Sequence, residues 1–170
     1  MTCRLNQLNS FSRDEFVRVV GSVFEHSSWI AEATWTARPF ADVEQLHEAL
    51  CRTVSEAGVE KQLALIRAHP DLVGRAALAG TLTQASTNEQ ASAGLDRLSP
   101  EEIAAIQKNN QAYREKFGFP FVICARLNKK EAILAGFAAR LQNTLEQEIM
   151  TALAEIAKIA RLRLADLING

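Results

Sequence analysis

The sequence predicts an all-α protein: one compact multi-helix domain over residues 1–170, of about eight helices and not a simple four-helix bundle. Three observations carry this. Apolar residues recur at three- and four-residue spacing along most of the chain. Polar capping residues stand before several of those runs, and Gly or Pro stands after them. Alternating strand patterns are scarce, and no internal repeat or low-complexity linker interrupts the chain. The composition, 48% hydrophobic and 23% charged over 170 residues, suits a single globular core.

Ser12-Arg13-Asp14-Glu15 fits a capping box and is followed by Phe16, Val19, Val20, Val23 and Phe24 at helical spacing. A second helix is expected over Ser28 to Trp35. It ends before Arg38-Pro39, because a residue preceding proline avoids the helical region. Asp42 caps a third, with Val43, Leu46, Leu50 and Val54 inward and Gly58 as its stop. Val59 to Ala68 forms a fourth, closed by His69-Pro70. Residues 70–98 are the least regular stretch, and compact domains tend to keep such stretches for function. Ser99-Pro100-Glu101-Glu102 then starts a helix with Ile103, Ile106, Asn110, Tyr113 and Phe117 on one stripe, ended by Gly118 and Pro120. Phe121 to Ala125 is a short apolar run that periodicity alone leaves undecided between strand, extended segment and helix start. Lys129 to Arg140 and Asn143 to Leu167 read as the last helices.

Lys+Arg 19 against Asp+Glu 20 leaves a net charge of −1, which offers neither nucleic acid nor an anionic membrane an electrostatic partner. Cys3, Cys51 and Cys124 are odd in number and form no CxxC, so they read as incidental thiols of a reducing compartment. The first thirteen residues lack the apolar core of a signal peptide, no run of 18 apolar residues occurs, and no peroxisomal S-K-L ends the sequence. The expectation is a cytoplasmic protein acting on a small molecule. Neither His-x-x-x-His nor a carboxylate cluster at metal spacing is present, so no metal is expected.

Candidate chemistry gathers around His69. An imidazole titrates near neutrality, and this one sits at a helix-breaking proline before the irregular stretch. It reads either as a general acid or base or as a cap on the preceding helix. His26 and His47 fall on polar faces and read as solvated. Ser86-Thr87-Asn88-Glu89 fits a second capping box. The helix start it implies would expose N–H groups to an anion, with Glu89 as acidic partner of His69 and Gln90 adding an amide. Leu145, Ile149, Leu153 and Ile156 suggest the core stripe of the last helix. Arg163, seven residues past Ile156, lies about 20° off it, and Arg161 lies roughly 140° away. An inward Arg163 is half of an internal salt bridge, a side chain that snorkels to the edge, or a clamp for a substrate carboxylate or imide oxygen. Phe117 to Phe121 reads as core and turn, with non-helical backbone after Pro120 that can face a planar heterocycle. Trp29 and Trp35 read as core or interface.

These segments, in this order, resemble the 2-oxo-4-hydroxy-4-carboxy-5-ureidoimidazoline (OHCU) decarboxylase family. The likeness rests on His69-Pro70-Asp71-Leu72, Gly80-Thr81-Leu82-Thr83, Ser86-x-x-Glu89-Gln90, Ala93-Gly94-Leu95, Asn110-x-x-Tyr113, Lys116 to Phe121 and Leu162-Arg163-Leu164. A weaker match begins at Phe16 and includes Trp35 to Phe40. The resemblance implies a mainly helical, often homodimeric enzyme without cofactor that forms (S)-allantoin and carbon dioxide in uric acid degradation. It implies catalytic roles for His69 and Glu89. It implies substrate contacts at Pro70, at Ser86, Thr87, Asn88, Glu89 and Gln90, at Phe121, Val122, Ile123, Cys124 and Ala125, and at Arg163. A hydrolase of a cyclic ureide and a non-catalytic helical interaction module are the competing readings of the same residues.

Overall fold

The computed structural model describes residues 2–169, and its chain divides into two compact units, 1–68 with 157–170 and 69–156. Helices dominate both, as the periodicity predicts.

In the first unit a two-residue strand β1 (Cys3–Arg4) precedes α1 (Leu5–Ser10), α2 (Arg13–Val20), α3 (Trp29–Thr34), a 3₁₀ turn (Trp35–Ala37), α4 (Val43–Glu56) and α5 (Val59–Ala68). Ser12 closes its capping box with Glu15, and the Asp42 side chain accepts from the Gln45 N–H. Gly58 follows α4 with φ +82°, a left-handed turn that a side chain would strain. Helix α2 stops at Gly21 instead of running on to Phe24, yet Val23 and Phe24 are buried all the same. Arg38 takes extended φ/ψ before Pro39, as expected. Its guanidinium donates to the Trp35 and Asn9 carbonyls at 2.9 and 3.0 Å and stacks 4.3 Å over Trp35. Leu8, Phe16, Ile30, Leu46, Leu50, Leu65 and Ile66 form the core of this unit.

The second unit holds α6 (Arg75–Leu78), α7 (Gln84–Ser92), α8 (Pro100–Phe117), a 3₁₀ turn (Ala125–Leu127) and α9 (Lys130–Arg140). The last helix, α10 (Leu145–Leu167), begins in this unit and ends in the first. Its continuation β2 (Ile168–Asn169) pairs in parallel with β1, Cys3 opposite Ile168. Neither α1 nor this strand pair was expected from the sequence. The 70–98 stretch is more regular than expected, since α6 and α7 lie within it.

Ser99 caps α8 with Glu102 completing the box, and Gly118 ends the helix at φ +76°. We expect Ser99→Ala to lower stability by about 1 kcal/mol, read from the midpoint of a urea titration. The predicted α8 stripe is buried at Ile106, Asn110, Tyr113 and Phe117. Tyr113 meets Phe117 and Phe121 at 4.7 and 5.3 Å, and Phe121 stacks on Phe137 at 3.9 Å. A methyl group on Gly136 would lie 3.4 Å from the Phe121 ring, in van der Waals contact with it.

The predicted face of α10 is corrected. Leu145 is exposed, while Glu148, Ala152 and Ile156 are buried. The inward stripe starts one turn later, on a carboxylate, because Arg140 neutralises Glu148 at 2.9 Å. Further along, in the first unit, Arg163 is buried and Arg161 is exposed beside Glu44, as the helical geometry predicts.

Candidate functional site

His69 follows the last residue of α5 and is buried, 6% exposed. The chain beyond it is tied down at three points. Asp71 receives the Arg114 Nε–H at 2.9 and 3.0 Å from α8. The Leu72 carbonyl accepts from Asn110 Nδ2 at 2.8 Å. The Val73 N–H donates to Gln90 Oε1 at 3.0 Å, in a buried bond. Val73 sits at φ +49°, unfavourable for a β-branched residue, and these bonds hold it there. Gln90 therefore joins the His69 segment to α7. Neither Asn110 nor Arg114 stood out in sequence as part of this support.

On α7 the expected capping box is corrected. Thr83, not Ser86, is the N-cap: its hydroxyl accepts from the Ser86 N–H at 3.2 Å. Starting three residues earlier places Ser86 and Gln90 one turn apart on the buried face and leaves Glu89 half-buried beside them. Thr87 and Asn88 are exposed. The Thr87 N–H is bound to the Thr83 carbonyl at 2.9 Å, and Asn88 Oδ1 accepts from Gln84 at 2.9 Å. The N–H groups at the helix start thus belong to Gln84 to Ser86, not to residues after Ser86.

The undecided run Phe121 to Ala125 is not helical until its last residue, and the turn Ala125–Leu127 lies against α7. Phe121, Val122, Cys124 and Ala125 are buried, and Ile123 is half-buried. The Val122 carbonyl accepts from Arg140 at 2.6 Å, and the Cys124 N–H donates to Glu155 Oε2 at 2.8 Å. The second unit therefore gathers the His69 segment, α7 and residues 121–125. Pro70 is half-buried on the rim of a cleft of about 980 Å³, also bordered by Arg75, Leu78, Asn110 and Arg114. Glu89 and Ile123 do not line that cleft.

Arg163 belongs to the first unit. Its Nη1 donates to Glu25 Oε2 at 3.0 Å and to the Val23 carbonyl at 3.3 Å. Glu25, 4% exposed, was missed in sequence; only its place directly after the buried pair Val23-Phe24 marked it. His47 is corrected too. It is not solvated, for Nε2 lies 2.8 Å from the Ala157 carbonyl and 3.4 Å from Cys51 Sγ. A nitrogen that gives its proton to a carbonyl cannot take one from a thiol. Burial, with Glu44 and Glu48 nearby, holds the Cys51 thiol above the usual range. His26 is exposed at φ +45°. Trp29 and Trp35 are half-buried.

A family model described as OHCU decarboxylase matches residues 9–165. A protein of Haloferax volcanii named 2-oxo-4-hydroxy-4-carboxy-5-ureidoimidazoline decarboxylase is 44% identical over 95% of this chain and 94% of its own. One of the same name from Amia calva is 43% identical over 97% and 94%. A crystal structure of (S)-allantoin synthase superposes with a TM-score of 0.79 at 30% identity over 98% of this chain, which spans 54% of that one.

Proposed function

This chain belongs to the OHCU decarboxylase family, and from that premise we propose which of its residues carry the reaction. The protein is a carboxy-lyase of uric acid degradation that decarboxylates 2-oxo-4-hydroxy-4-carboxy-5-ureidoimidazoline to (S)-allantoin. The observation that carries the residue assignment is the convergence, within one unit, of the buried His69 segment, the α7 face bearing Glu89 and the non-helical run 121–125.

In the proposed mechanism the bond from the ring carbon to the carboxylate breaks. Carbon dioxide leaves, and the electron pair moves into the adjacent ring C=N. The substrate hydroxyl gives up its proton and becomes a carbonyl, while the ring nitrogen and the neighbouring carbon each gain a proton, the carbon on one face only; one proton is taken up overall. The ring itself spreads the charge, so the proposal needs no metal or organic cofactor. His69, paired with Glu89, takes the hydroxyl proton and handles the stereospecific one. Glu89 also crowds the departing carboxylate, disfavouring its charged ground state. Pro70, Ser86 and Gln90 shape the pocket, with Gln90 also holding Val73. Thr87 and Asn88 flank Glu89 on the exposed side of the helix. Residues 121–125 contribute backbone groups toward the ring oxygens. Arg163 supplies a guanidinium for a substrate anion, with Glu25 fixing its orientation.

The reading treats residues 1–170 as one functional domain, supported by a family match that runs through both units. It also takes the enzyme to be a cytoplasmic homodimer. The family resemblance supports the dimer, and three thiols without disulfides agree with that compartment. Among the described residues no helix is long and apolar enough to cross a membrane.

The substrate decays unaided, so chirality is the test. Generated in place by uricase and hydroxyisourate hydrolase, it should give the circular dichroism of (S)-allantoin with release of carbon dioxide. Racemic allantoin at the uncatalysed rate, or ring-opened ureides without carbon dioxide, would overturn the assignment.

A further inference from the structure

The run from Phe121 to Cys124 has no regular secondary structure, and Cys124 is extended at φ −71°, ψ 92°. In extended backbone the N–H and C=O of one residue leave on the same side, and successive residues alternate sides. That alternation gives Val122 and Cys124 a common edge, and both are anchored by side chains. Arg140 Nη1 donates to the Val122 carbonyl at 2.6 Å, and Glu155 accepts the Cys124 N–H at 2.8 Å. Arg140 is itself fixed by Glu148 Oε2, 3.0 Å from Nε and 2.9 Å from Nη2, and by stacking 4.3 Å over Phe121. Glu148 and Glu155 are seven residues apart, so one face of α10 supports both anchors.

Ile123 lies between them, and in a run that is extended throughout its N–H and C=O turn to the opposite edge. No hydrogen bond engages those two groups among the described residues. A donor and an acceptor side by side complement the –NH–C(=O)– unit of a cyclic ureide. We propose that Arg140 and Glu155 are positioning residues that hold one edge of residues 122–124 and so set the pitch of the Ile123 edge toward the substrate ring. The proposal rests on reading residues 121–125 as part of the substrate site.

The test uses the full chain in the coupled dichroism assay. Glu155→Ala leaves the Cys124 N–H without its acceptor and should raise KM roughly tenfold with kcat nearly unchanged, the mark of lost ground-state and transition-state binding alike. Glu155→Gln keeps an acceptor oxygen and should restore KM. Arg140→Lys cannot span Glu148 and the Val122 carbonyl together and should also raise KM. If Arg140→Lys does not fold, the Glu155 pair decides. Wild-type KM in Glu155→Ala, no rescue by Gln, or a fall in kcat that merely follows the folded fraction would overturn the proposal. His69→Asn in the same assay separates the two readings. An active His69→Asn defeats the catalytic assignment. An inactive one beside a wild-type KM in Glu155→Ala defeats the anchoring alone.

Discussion

His69→Asn is expected to lower kcat by roughly 10²–10⁴-fold, the usual worth of general acid–base help. Asparagine preserves a hydrogen-bonding group of similar size but cannot exchange a proton near neutral pH. The substitution therefore separates holding the substrate from moving its proton. KM should change little, because the segment around the residue is held by Asp71–Arg114, Asn110–Leu72 and Val73–Gln90, and His69 makes none of those bonds. Product dichroism should fall with kcat, since unaided decay then supplies most of the allantoin. Full stereospecific turnover in this variant would remove His69 from the mechanism.

The largest stability effect is expected at Glu148, which is fully buried. It accepts from Arg140, from Asn143 Nδ2 at 2.6 Å and from the Tyr113 hydroxyl. Burial and the Glu148 carboxylate raise the Tyr113 phenol well above its ordinary value, so it stays a neutral donor. Glu148→Ala strands the Arg140 cation with no counter-charge and leaves the phenol without its acceptor. Breaking a buried pair from one side costs about 3–5 kcal/mol. At roughly 2–4 °C per kcal/mol for a chain of this size, the melting temperature should fall by about 6–20 °C in scanning calorimetry. A shift within about 2 °C, the effect of a surface substitution, would show that the network is not a stabilising element.

The helix boundaries that sequence could show are those set by local chemistry. Ser12, Asp42 and Ser99 cap as read, and Gly58 and Gly118 stop helices where a left-handed residue is needed. Where two local solutions competed, tertiary burial chose. Thr83 caps α7 ahead of Ser86 because the earlier start turns Ser86 and Gln90 inward. On α10 the apolar pattern pointed to Leu145, but the buried position is Glu148, and its partners Arg140, Asn143 and Tyr113 make a carboxylate tolerable there. Helix α1 buries Leu8 alone of its six residues, too little to make a periodic signal. Among the candidate residues, His69 announced itself through Pro70 and Arg163 through its angle on the helix. Glu25 and Glu155 did not, since an isolated acidic residue reads as solvated until its partner is in view.

The first unit is written in two pieces, 1–68 and 157–170, with the second unit uninterrupted between them. During synthesis all of residues 69–156 leave the ribosome before the strand Ile168–Asn169 that pairs with Cys3–Arg4 has been made. The middle of the protein can condense on local contacts, while the amino-terminal helices wait for their closing segment. For that interval α4 and residues 23–25 lack the partners that Ala157, Arg161 and Arg163 later bring, and stand open to a chaperone.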